Sequence, residues 1–132
     1  MSRAAVFVGL KSMVPGVQFY ANWSADSPPQ KRGPFAILRW QEESPKSGMH
    51  RGPRILDIWI HIPIGTSRDH ADIDPLLDQI KWAMEQLPGT TGTDGYTVID
   101  VTCTGDGPDF LDTGYDSISR NTAFEILSNV VP

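Results

Sequence analysis

The stretch from Ile55 to Ile62 places an aliphatic residue at every second position: Leu56, Ile58, Ile60 and Ile62 fall on one side, Ile55, Asp57, Trp59 and His61 on the other. Successive side chains of a β-strand point to opposite faces, so this segment is expected as a strand with one face in a core and a mixed second face. Pro34–Glu42 alternates in the same way, with Ala36, Leu38 and Trp40 set against Phe35, Ile37 and Arg39. Tyr96–Thr104 sets Thr97, Ile99, Val101 and Cys103 against Val98, Asp100 and Thr102. Arg120–Val131 sets Phe124 and Ile126 against Ala123 and Leu127, and Val17–Asn22 reads as a further short strand.

Between the strand patterns the period changes to that of a helix. Ile73, Leu76, Leu77, Ile80, Met84 and Leu87 recur at helical spacing, while Asp72, Asp78, Lys81 and Glu85 occupy the remaining face. Pro75 suits a first turn, Asp72 or Asp74 an N-cap, and Pro88-Gly89 a stop. A shorter helix carrying Ala5, Val6, Leu10 and Met13 opens the chain, with Ser2 as its cap, Pro15-Gly16 as its end and Gly9 weakening it from within. Ser24–Gly33, Glu43–Arg54, Gly89–Gly95 and Gly105–Tyr115 are rich in Pro, Gly, Ser or Asp and read as connections, the third a flexible loop. The pattern predicts one domain over residues 1–132: an α+β two-layer sandwich whose mainly antiparallel sheet has four to five strands. One long helix at about residues 72–87 and the short N-terminal helix complete it. The expected core is Leu38, Trp40, Leu56, Ile58, Ile60, Ile73, Leu77, Ile80, Met84, Ile99, Val101, Phe124 and Ile126.

A chain of 132 residues can bury such a core without staples. Its single cysteine, Cys103, permits no internal disulfide and is expected as a small buried hydrophobe. Met1–Met13 lacks a signal-peptide pattern and no stretch approaches the ~20 apolar residues of a membrane span, so synthesis and residence in cytoplasm are expected. Charge is unevenly spread. Up to Arg54 there are eight Lys and Arg against three acids, a net of +5; from Ile55 onward three bases face thirteen acids, a net of −10. Such a split suits either a basic face for nucleic acid or complementary surfaces on identical copies.

Residues with chemical potential are few and scattered. His50, His61 and His70 do not stand at metal-ligand spacing from one another or from Cys103. Gly89–Gly95 follows a helix and precedes a strand, the reverse of the order that aims backbone amides at phosphate. Asp106, Asp109, Asp112 and Asp116 do not follow a calcium-loop pattern. Asp57, His61 and Asp100 would form the one group worth examining for catalysis, should their strands pair. Trp59 and Trp82 lie on partly polar faces, where an aromatic either meets a partner or is covered by a second layer.

The order Pro34-Phe35-Ala36-Ile37-Leu38-Arg39-Trp40, a Gly-rich basic loop, then Arg54-Ile55-Leu56-Asp57-Ile58-Trp59-Ile60-His61 resembles the central hairpin of phage tail terminator (tail completion) proteins. Ile73-Asp74-Pro75-Leu76-Leu77-Asp78-Gln79-Ile80 is similar to their long helix. Gly107–Tyr115 followed by Arg120–Ile126 resembles their closing loop and strand. The likeness runs from about Pro34 to the end. The N-terminal helix is short beside the usual pattern, and Ser24–Gly33 has no counterpart in it.

The resemblance implies a virion protein at the head-tail junction that closes as a homo-oligomeric ring, typically a hexamer, on the head-proximal end of the tail tube. There it halts tube polymerisation and offers a docking surface to the head-tail connector protein, with no cofactor and no reaction catalysed. No membrane or specific nucleic-acid partner is expected. Two alternatives stay open: another neck or head-tail connector subunit, and a small nucleic-acid-binding module built on the basic loop. Candidate subunit or tube contacts are Arg39, Lys46, His50, Arg51, Arg54 and Trp59, with Asp106, Asp109, Asp112 and Asp116 as acids that could meet the bases of a neighbour. The loop Ser44–Arg54 is expected at such an interface.

Overall fold

A computed structural model describes residues 3–21, 33–41, 54–114 and 116–130. In chain order the elements are helix α1 (Arg3–Met13), strands β1 (Gln18–Ala21), β2 (Phe35–Gln41) and β3 (Arg54–Pro63), a 3-10 turn (His70–Asp72), helix α2 (Ile73–Glu85), and strands β4 (Tyr96–Asp106), β5 (Phe110–Asp112) and β6 (Ser117–Val130). The expected cap Ser2, the Ser24–Arg32 part of the first loop and the Ser44–Pro53 part of the basic loop lie outside the described residues.

The α+β class is as expected, but the sheet is larger than predicted and mixed. Six strands run in the order β1-β2-β3-β6-β4, with β5 beside β4 on the same flank of β6. Among the described residues only β1 and β2 are parallel. A parallel pair needs a long crossover, and residues 22–34 supply one in length. The sixth strand comes from the segment Gly105–Tyr115, expected as a plain connection, where Phe110–Asp112 pairs with Ser117–Ser119.

The aliphatic face of β3 forms the centre of the core. Leu56, Ile58 and Ile60 are fully buried and face Trp40, Leu38 and Ala36 across β2, with Phe124 and Thr122 opposite Leu56 and Ile58 on β6. Helix α2 closes this face with Ile73, Leu77, Ile80, Ala83 and Met84. Each fully buried Leu or Ile of this kind contributes about 1.5–3 kcal/mol over an exposed one. Helix α1 packs beside α2 and touches both β1 and β4, so the helical layer spans the open sheet. Gly9 leaves room for Leu87, which follows α2: a Cβ there would stand 2.5 Å from Leu87 Cδ2, and that side-chain tip would have to shift.

Three local expectations need correction. Alternation along β4 is broken by bulges that insert Ile99 and Thr104 into the ladder with β6. Each extra residue resets the two-residue period, so Val98 is buried and Ile99, expected in the core, is 47% exposed. Cys103, expected as a buried hydrophobe, is exposed although it pairs in register with buried Phe124, because β4 is the outermost strand of the sheet. Gly89–Gly95 is no loose loop: Gly89 N–H and Val98 N–H exchange bonds with Val98 O and Thr90 O at 2.7 and 2.9 Å, and Gly92 N–H reaches Tyr96 O at 2.9 Å. The segment folds back on the start of β4. Of the two expected caps, Asp72 holds the N-cap position of α2 without a side-chain bond, and Asp74 lies in the first turn. Asp69 caps the preceding 3-10 turn through Ala71 N–H.

Candidate interaction surfaces

An open sheet has two edge strands, and sequence order decides what each presents. The first edge is β1, flanked by α1 and β2. Among the described residues up to Arg54, the charged ones are Arg3, Lys11, Arg39 and Arg54, with no acid. Arg39 is exposed on the face away from the helices, opposite Asp57 in register. Asp57 accepts a bond from Gln41 Nε2 at 2.5 Å.

The second edge is β4 continued by β5. Residues 87–119 contain six aspartates and no Lys or Arg. The start of β4 is paired on its outer side by the Thr90–Gly92 segment, including a Thr91–Thr97 bridge, so the open part of the edge begins at Ile99. Asp106 and Asp109 are engaged within the chain. Lys81 of α2 meets Asp106 at 2.7 Å, and Arg120 of β6 bridges Asp109 to Asp74 of α2, the latter at 2.6 Å. Burial works against the Asp106 carboxylate, yet its bonds from Lys81 and Thr122 outweigh this and hold it below the usual carboxylate range. Bonding to Arg120 does the same for Asp109. These ties staple α2 to the acidic edge. Asp112 accepts Gly114 N–H at 2.9 Å, and Asp116 takes a left-handed backbone in the turn before β6.

Strand β5 is held from several sides. His70 Nε2 lies 3.0 Å from Phe110 O, and the Trp59 ring meets the Phe110 ring edge-on at 6.2 Å. Trp59 is thus half-buried in the β3–β5 contact, whereas Trp82 is 55% exposed on α2. Beneath this corner His61 is buried, stacked on Phe35 at 4.8 Å, with its Nδ1 2.8 Å from Ser117 Oγ. Burial lowers its pKa, partly offset by Asp112. Ser119 Oγ is also buried and makes no hydrogen bond.

The group Asp57, His61 and Asp100 does not assemble. Strand β6 lies between β3 and β4, and Asp100 pairs in register with Leu127, far along the sheet from His61, which pairs with Ser119. Among the described residues no cluster of three or more His, Cys, Asp or Glu is arranged to hold a metal ion. Lys46, His50 and Arg51 lie outside the described residues, and Arg54 opens β3. Sequence reasoning missed Lys81, Arg120 and Phe110. Their partners stand between 9 and 51 residues away along the chain, and no local pattern marks such pairs.

Comparison with protein-family models finds no match, and comparison with curated proteins finds none either. Fifteen chains among solved structures resemble the fold. One of them covers 100% of this chain and 99% of its own length at a TM-score of 0.53 and 11% identity, a likeness of fold alone.

Proposed function

We propose that the chain is a structural subunit that caps the head-proximal end of a long-tailed phage tail tube as a ring, ending tube growth and presenting a docking surface to the head-tail connector. The observation that carries this reading is the placement of the resembling segments. Those that resemble tail terminators fall in order on β2, β3, α2, β5 and β6, with Phe35–Gln41 and Ile55–His61 paired residue for residue as one antiparallel hairpin. The charged residues described up to Arg54 are all basic and those of residues 87–119 all acidic, and unlike patches of this kind suit a subunit that contacts copies of itself head-to-tail, as a ring requires. The function is recognition, and binding rather than bond chemistry is its output.

The direct test is electron microscopy of tail tubes assembled from a long-tailed phage tube protein, with and without the purified protein. A ring of added density at one tube end supports the proposal; tubes with both ends bare in the presence of excess protein reject it.

A further inference from the structure

Helices α1 and α2 lie side by side on one face of the sheet and run in opposite directions. α1 starts beside Gly92 and α2 ends just before Gly89, whose amide bonds to Val98 near the start of β4. At the other end of the sheet α1 leads into Gln18, which pairs with Phe35 opposite His61, and the turn before α2 meets Phe110 opposite Ser119, the β6 partner of His61. The outward faces of the two helices therefore point the same way. We infer that two copies of the free protein pair through these faces about a two-fold axis parallel to the helices, α1 of each lying antiparallel on α2 of the other, with Lys11 meeting Trp82 and Glu85. Such a pair is closed at two copies and is separate from the head-to-tail ring proposed above.

The two faces are unlike in charge and each carries an exposed apolar side chain. In α2 Ile73, Leu77, Ile80 and Met84 are buried, and at about 3.6 residues per turn Trp82 falls on the opposite side, where it is 55% exposed. Asp78 and Glu85, one turn before and after it, are exposed as well. Neither acid is in an ion pair among the described residues, and Lys81, the one base of the helix, is tied to Asp106. In α1 Val8 stands two residues from both Val6 and Leu10, which are fully buried, so it points outward and is 61% exposed. Lys11 follows it by one turn, exposed, with its Nζ 5.3 Å from the centre of the Phe7 ring, and α1 contains no acid. A large aromatic flanked by charge is the usual centre of a specific contact.

Register within one copy sets the register of the pair. The close approach of Gly9 to Leu87 puts these two residues at one level along the helices. Because the helices run in opposite directions, Lys11 stands level with the last turn of α2, which carries Trp82 and Glu85. Rotation about an axis parallel to the helices leaves that level unchanged, so Lys11 of one copy comes over the same turn of the other, and the contact occurs twice. An ammonium there can pair with the carboxylate and lie against the indole ring. A two-fold axis across the helices would instead set Lys11 near Lys11 and the Asp78–Glu85 face on itself, an arrangement that like charge excludes.

Sedimentation of the purified protein at low salt and its highest soluble concentration tests the assignment. The parent should reach a species of two copies. Lys11→Glu and Glu85→Lys should each pair roughly tenfold more weakly, because a like-charged contact then occurs twice. Trp82→Ala should weaken pairing through loss of the aromatic contact. All three positions are exposed, and thermal unfolding checks that the variants fold. Since Lys11 meets Glu85 across the axis, one chain carrying both Lys11→Glu and Glu85→Lys should recover pairing, as should an equimolar mixture of the two single variants. A parent that stays monomeric, a parent that passes directly to larger species, single variants that pair like the parent, or a doubly exchanged chain that stays monomeric would overturn the inference. Tube capping has no part in this readout, so the pair and the capping role stand or fall separately.

Discussion

His61 shows how one side chain contributes to the pH response of the fold. It is buried against Phe35 and Ser117, and burial holds its pKa below the ordinary histidine value of about 6.5. The unfolded chain therefore binds a proton that the folded chain resists. Stability from this site is fully present above about pH 6.5 and declines as pH falls below it. Urea unfolding at pH 7.5 and 5.5 should show a loss for the parent and a smaller loss for His61→Gln; equal losses would remove His61 as the cause. A second contrast tests the core. Ile58→Ala should cost about 2–5 kcal/mol, since the site is fully enclosed, whereas Ile99→Ala should lie within about 0.5 kcal/mol of the parent in the isolated subunit. Periodicity made Ile58 legible, together with Leu56, Ile60, Leu77 and Ile80. It misassigned Ile99 because a bulge is a tertiary accommodation with no period of its own. Phe35 and Ile118 are buried on strand positions that alternation alone does not rank.

Elements were more legible than their pairings. The five expected strands and both helices are present within a few residues of their expected bounds, because each has its own periodicity and its own Pro or Gly stop. Strand β5 has three residues, too few for a period, and the β1–β2 parallel pairing depends on a crossover that composition does not describe. Close approaches between elements are equally hidden. At Gly92 a Cβ would stand 2.7 Å from the Ala5 backbone nitrogen, and that backbone cannot move as a side-chain tip can. Gly92→Ala should cost about 1–3 kcal/mol, read from denaturant midpoints; an unchanged midpoint would show that α1 is not seated against this segment. Arg120 makes a different kind of seat, joining β6, the Asp109 turn and α2. Arg120→Gln should raise hydrogen exchange of the Gly107–Asp112 amides while leaving β2 and β3 protected. Uniform exchange changes, or none, would mean that β5 is held by His70 and Trp59 instead.

For the whole molecule, the uneven charge of the sequence becomes a spatial arrangement through strand order. Of the acids that looked available for a neighbour, Asp106 and Asp109 tie the acidic edge to α2 and β6, Asp112 accepts Gly114 N–H within its own turn, and Asp116 stands exposed before β6. The candidate site was thus half readable. Its sign came from composition, but its members depended on which acids find an internal base. The proposal at the centre of this account is that the subunit ends the growth of a tube, and the measurement closest to it is tube length during polymerisation of a phage tail tube protein. Substoichiometric addition of this chain should arrest elongation at one end and shorten the mean length as the dose rises, with the arrested end closed to further tube protein. Tubes that elongate at the same rate and to the same length at every dose would contradict the account.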